Sequence, residues 1–248
     1  MAGKPPTGAT RNAGYQPASK WSPPEASDEA CAWGLASPDE PRWPATLAVL
    51  VAIALQVVLP ARVTAGLGPR WLVATLEGAL CLVLLVTNPR HTSNDSRYAR
   101  TGSIVLIALV NASNLVSLGE LVASLVNGTT HEAGRALIFA SVPIWLTNVI
   151  VFGLWYWELD RGGPAARLSR EHRAPDFLFP QMVTPGAAPG WAPRFLDYLY
   201  TSYTNATAFS PTDTMPLSAW AKLLFMVQSL ASLLTVALVV SRAVNILS

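Results

Sequence analysis

The chain has 248 residues, 51% hydrophobic and 13% charged, with a formal net charge of +2. Soluble domains carry roughly 25% charged residues, so about half the usual charge is missing. So small and dispersed a net charge argues against a nucleic-acid-binding protein. The charges that remain cluster between long uncharged runs, the pattern of a chain that threads a bilayer.

Residues 1–42 are rich in Pro, Ala, Ser and Gly and show no apolar period. They cannot bury enough apolar surface to offset ordering entropy, so a disordered tail is expected. The acids and prolines before the first apolar run exclude a signal peptide. Residues 43–157 then read as a four-helix membrane region. Its first apolar run, 43–63, opens with Pro44 in a position suited to a helix first turn. The second, 71–86, is short for a span and carries Glu77, which a reach to the membrane interface would explain. The third, 101–126, carries Ser113, Ser117, Glu120 and Ser124 within about 60° of one another at 100° per residue. The fourth, 136–157, has Ser141, Trp145 and Asn148 on one face and ends in "WYW", an aromatic belt suited to the headgroup level.

Residues 158–192 form a charged and Pro-rich loop, with a Gly-Gly-Pro breaker at 162–164 and an apolar piece interrupted by Pro180, Pro185 and Pro189. Residues 193–209 then read as a helix of about 24 Å, too short to cross a core of roughly 30 Å with ease. A half-crossing helix followed by "TNATAFSPTDTMP" (204–216) has the form of a re-entrant segment. Within that stretch Thr212 or Asp213 is placed to cap the last helix, with Pro216 in its first turn. The final run, 219–247, bears a stripe of Gln228, Ser232, Thr235 and Arg242.

An ionisable or polar group at membrane depth faces protein or a water-filled cavity by default. One reading is a central pathway with Glu77 and Glu120 as ion or proton ligands; the other is helix–helix adhesion, in which hydroxyl and amide stripes recur. Catalytic and metal chemistry find no footing, and neither a cofactor nor a metal site is expected. His91, His131 and His172 each read as loop residues with no Cys or His at ligand spacing. No glycine pattern resembles a phosphate loop, and no His lies in a span to activate a nucleophile, so the chain reads as a non-enzyme. Cys31 in the tail and Cys81 in a run do not pair. Asn94, Asn111, Asn127 and Asn205 match N-x-Ser/Thr, but at least two fall in membrane segments and the matches read as chance. Lys occurs only at Lys4, Lys20 and Lys222, and with abundant Ala and Pro this Arg bias points to a GC-rich bacterial genome.

From about residue 155 onward the order is outer helix, loop, short aromatic helix, Thr-containing loop ending in Asp, and long last helix. That order resembles the pore module of potassium channels, and "DTMPLSAWAKLLFMVQSL" is similar to the stretch after the channel filter. Read back from Asp213, Thr207 takes the place of a filter threonine, and Ser210, Pro211 and Thr212 stand where the family has Gly-Tyr-Gly. Those glycines permit the alternating backbone that points successive carbonyls at an ion. Pro211 fixes its own φ and restricts Ser210, so this is not a potassium filter. The chain also resembles a domain-of-unknown-function family of multi-spanning bacterial membrane proteins, through Asp197 to Tyr203 and Ser210 to Asp213.

The expectation is an all-α integral membrane protein of the bacterial inner membrane, with five or six transmembrane helices. Helix length favours five spans with 193–209 re-entrant; the positive-inside rule favours six, which turns most arginines to the cytoplasm. The resemblance implies a small-ion channel or translocator, with the bilayer, small inorganic ions and further copies of the chain as partners. Thr204, Thr207, Ser210, Thr212 and Asp213, with Glu120, Gln228, Ser232 and Thr235, are the candidate pathway-lining residues. A non-conducting structural or accessory membrane protein is the alternative.

Overall fold

The computed structural model describes residues 41–60, 64, 70–87, 97–126, 131–167, 174–184, 191–207 and 213–247. The tail to residue 40, Ser210 and Thr212 lie outside them. The described residues are mostly helical: α1 (Trp43–Val58), α2 (Arg70–Thr87), α3 (Arg97–Val126), α4 (His131–Leu159), a 3-10 turn at Asp160–Gly162, α5 (Pro164–Arg167), α6 (Pro180–Val183), α7 (Phe195–Thr207) and α8 (Ala219–Leu247). A two-residue antiparallel ladder joins β1 (Phe177–Leu178) to β2 (Met215–Pro216), pairing Phe177 with Pro216 and Leu178 with Met215.

Among the described residues, three helices are long and apolar enough to cross a membrane, with spans Arg100–Ser124, Phe139–Gly162 and Ala219–Val240. Trp43–Val58 and Leu72–Val83 are apolar but shorter. Pro44 does stand in the first turn of α1, where a missing N–H costs little.

α4 is the centre of the arrangement, packing against α1, α3, α7 and α8, while α2 leans on α1 and α3. Burial follows this order: 61% of the α4 span is buried within the chain, 44% of the α3 span and only 22% of the α8 span. Apolar side chains of α8 such as Leu223, Met226, Leu230, Leu233 and Val240 are left exposed.

The aromatic run at the end of α4 lies inside the molecule rather than at a headgroup belt. Tyr156 is fully buried and Trp157 nearly so. The reason is β1: its two-residue period turns Phe177 and Phe179 inward together. Phe177 stacks on Phe225 of α8 at 5.7 Å between centroids and meets Tyr156 at 5.1 Å and Trp220 edge-on at 5.6 Å. Phe179 meets Tyr198 of α7 edge-on at 5.3 Å. These are favoured ring geometries, and they gather α4, α7 and α8 around one strand.

The last helix is not capped by Asp213. Residues 213–218 run on past it, through β2, where the Leu217 N–H donates to the Asp176 carbonyl at 2.8 Å. Ser218 takes the cap position instead, its Oγ accepting from the Ala221 N–H at 3.4 Å. Pro216 accordingly stands in β2, three residues before α8 begins, and not in the helix first turn.

Candidate functional site

α7 is 13 residues long, or about 20 Å, too short to cross a bilayer core by itself. Its seat on α4 is unusually close at Gly153: a Cβ there would lie 3.1 Å from the Leu199 Cα and 3.2 Å from the Leu199 Cδ1. Only a residue without a side chain lets the two backbones approach this far.

The seat is fastened by polar groups. Gln228 of α8 is fully buried, and its Nε2 donates to the Ser202 carbonyl at 2.9 Å and to the Ser202 Oγ at 2.6 Å. Its Oε1 accepts from the Tyr156 hydroxyl at 2.5 Å and from the Asn205 Nδ2 at 2.8 Å. Ser202 passes its own proton to the Val149 carbonyl at 2.6 Å, and Ser229 donates to the Asn205 Oδ1 at 3.0 Å. One turn further along α8, Ser232 accepts from the Asn148 Nδ2 at 2.9 Å. Every donor and acceptor of the Gln228 amide is therefore used, which is the condition for a polar group to be tolerated at membrane depth.

Among the predicted pathway residues, Gln228 and Ser232 meet in this network, and Thr235, also buried, donates to the Ala231 carbonyl of its own helix at 2.8 Å. Thr204 and Thr207 turn their hydroxyls onto carbonyls one turn back, Thr204 to Tyr200 and Thr207 to Tyr203, both at 3.0 Å. Thr204 is half-buried, and Thr207 and Asp213 are exposed. Glu120 stands apart from all of these, half-buried in α3 two turns beyond Ser113.

A second polar cluster joins α1, α2 and α3. Glu77 does not reach an interface; it is fully buried. The Ser113 hydroxyl lies 3.0 Å from the Glu77 Oε1, 2.9 Å from the Gln56 Oε1 and 3.0 Å from the Val110 carbonyl. Gln56 donates its Nε2 to that same carbonyl at 3.2 Å. The second carboxyl oxygen, Glu77 Oε2, is buried with no hydrogen-bond partner.

The third cluster lies in the stretch expected to be a charged loop. Asp160, fully buried, accepts from the Tyr198 hydroxyl at 2.6 Å and from the Asp176 N–H at 2.9 Å, with the Arg161 Nε 3.6 Å away. Asp176 in turn accepts from the Arg161 N–H at 2.9 Å and from the Trp220 indole at 3.0 Å. Arg167 donates to the Trp157 carbonyl at 2.7 Å and lies over the Tyr198 ring at 5.3 Å. The turn that makes this possible places Arg161 at φ +53° and Gly163 at φ +98°. A Cβ on Gly163 would come within 2.8 Å of the Glu158 carbonyl. Buried charges are tolerated when paired and hydrogen-bonded, so these residues form a latch joining the end of α4 to β1, α7 and α8.

Sequence reasoning missed Tyr156, Ser202 and Asn205. The signal for Ser202 and Asn205 was their spacing of three on α7, which puts both on the face toward α8. Among the described residues, no group of His, Cys, Asp and Glu is arranged to hold a metal ion, and Cys81 is a buried free thiol. Comparison of the chain with protein-family models, curated proteins and solved structures finds no match.

Proposed function

We propose that this chain is a multi-pass protein of a bacterial cytoplasmic membrane whose α4–α7–α8 module, assembled from several copies, conducts or translocates a small inorganic ion. The observation that carries the reading is the short helix α7, seated between a well-buried outer helix and a last helix with a largely exposed apolar face. Half-crossing helices of this kind are tolerated at depth where protein or water surrounds the loop that follows. Beyond α7 the described residues resume at Asp213, an exposed carboxylate six residues beyond Thr207. Ser-Pro-Thr in that loop excludes a carbonyl ladder of the potassium type, so ion contacts in this reading fall to side chains: Thr204, Thr207, Ser210, Thr212 and Asp213, with Glu120 from α3. Gln228 and Ser232 hold helices in this reading, because their polar atoms are already engaged within one copy.

Reconstitution of the purified chain in liposomes tests the proposal. Ion flux that falls on Asp213→Ala and on Thr207→Val is expected; no flux, or flux unchanged by both substitutions, overturns it. One observation favours a non-conducting structural or accessory protein: the Gln228 amide makes all four of its hydrogen bonds inside the chain, as adhesion between helices requires and a lining residue does not. Absence of flux across a range of ionic conditions selects that reading.

A further inference from the structure

We propose that Glu77 is a proton-binding site, carrying a proton as a neutral carboxylic acid in the interior of the α1–α2–α3 group. Four oxygens gather round the Ser113 hydroxyl or beside it: the Gln56 Oε1, the Val110 carbonyl and both carboxyl oxygens of Glu77. The donors in place are the single Ser113 proton and the Gln56 amide, one of whose two N–H groups is given to Val110. Ser113 has three acceptors at 2.9–3.0 Å and can satisfy only one at a time. The cluster is therefore short of hydrogen, and a buried acceptor left unmade is costly.

A proton on Glu77 narrows the shortfall to one neutral oxygen, Oε2. The acid O–H donates to the Ser113 Oγ, and Ser113 donates onward to the Gln56 Oε1, making a chain from α2 through α3 to α1. The depth of the site calls for the neutral form as well, since Ser113 stands near the middle of the span Arg100–Ser124 and an isolated carboxylate at such depth is expensive.

Among the described side chains of the packed elements, none supplies a counter-ion. α1 contains no charged residue between Trp43 and Val58. α2 offers Cys81, one turn beyond Glu77 and buried, and Arg70 at its first residue, two turns before it. α3 begins with Arg97, Tyr98 and Arg100, far along the helix from Ser113, and Arg100 is paired with Glu158 of α4 at 3.8 Å. Glu120 lies two turns beyond Ser113 in the other direction. Among the described residues no cation is ion-paired with Glu77.

The test needs no ligand and stands apart from any ion flux. A hydrophobic carbodiimide reacts with a carboxyl only in its acid form, because the carboxyl's own proton passes to a carbodiimide nitrogen as the new C–O bond forms. The purified full chain in detergent is treated across a pH series, and the peptide bearing Glu77 is followed by mass spectrometry. An adduct on Glu77 that is lost as pH rises, together with a protonated-carboxyl stretching band missing from the infrared spectrum of Glu77→Gln, is the expected result. The Glu77 adduct is read on the unmodified chain, so a poorly folded variant does not remove the test. It is overturned if Glu77 takes up no carbodiimide at any pH.

Discussion

The Gln228 and Glu77 clusters are both buried, both polar and both built on three helices, yet they differ in whether their hydrogens suffice. Around Gln228 the amide itself gives two and accepts two, and the one oxygen nearby left without a donor is the neutral Asn148 Oδ1. Around Glu77 one hydroxyl faces three acceptors and a carboxyl oxygen has none. A closed network acts as fixed adhesion between helices. An open one invites a proton, which the amide-centred cluster has no place for. The contrast lies in one side-chain choice, an amide against an acid, at two positions of similar burial.

The largest effect is expected where the closed half of the molecule is latched. Asp160→Ala leaves the buried Arg161 without its partner and the Tyr198 and Asp176 donors without their acceptor. A loss of about 3–5 kcal/mol is expected, read as a lower melting temperature in detergent and as proteolysis between α4 and α7. Next comes the exchange that pits the two clusters against each other. Gln228→Glu removes both amide donors and strands the Ser202 carbonyl, an expected loss on the order of 2–3 kcal/mol. The mirror substitution, Glu77→Gln, keeps the shape and puts a donor where the acid proton stood, so stability should change by less than about 1 kcal/mol. Comparable losses from the two exchanges would erase the distinction between the clusters. Between these in size falls Gly153→Ala. Its methyl would press on the α7 backbone at Leu199, and a loss of about 1–3 kcal/mol from overpacking should appear in the same melting assay. The smallest effect is set for Thr235→Val. The hydroxyl lost there serves only its own helix, so a change within about 0.5 kcal/mol is expected.

Long-range order was legible in the sequence to the extent that local pattern controls it. The last helix was read at the bounds it has, 219–247, because an uninterrupted apolar run leaves helix as the way to satisfy its backbone. The stripe Gln228, Ser232 and Thr235 was visible for a related reason: a period of 3.6 places polar residues on one face before anything is known of the partner. The partner was not visible. Asn205 stood out only as a chance glycosylation match, and Ser202 not at all, since their role depends on the angle at which α7 meets α8. The charged segment after α4 misled for a physical reason. Its composition is that of a solvated loop, and only the turn at Arg161–Gly163 folds Asp160, Arg161 and Arg167 back beneath the aromatic cluster.

Composition and periodicity by themselves determined that this is a helical protein with membrane-length apolar helices and a short aromatic helix before the last of them. These are properties of each segment against its solvent, and a segment carries them alone. Tertiary structure alone decided which polar groups close on one another, which carboxyl oxygen is buried without a partner, and that Ser218 rather than Asp213 caps α8. Hydrogen-bond satisfaction is a property of pairs. Groups as far apart in the chain as Tyr156 and Gln228, or Gln56 and Ser113, acquire their meaning only when packing brings them within 3 Å.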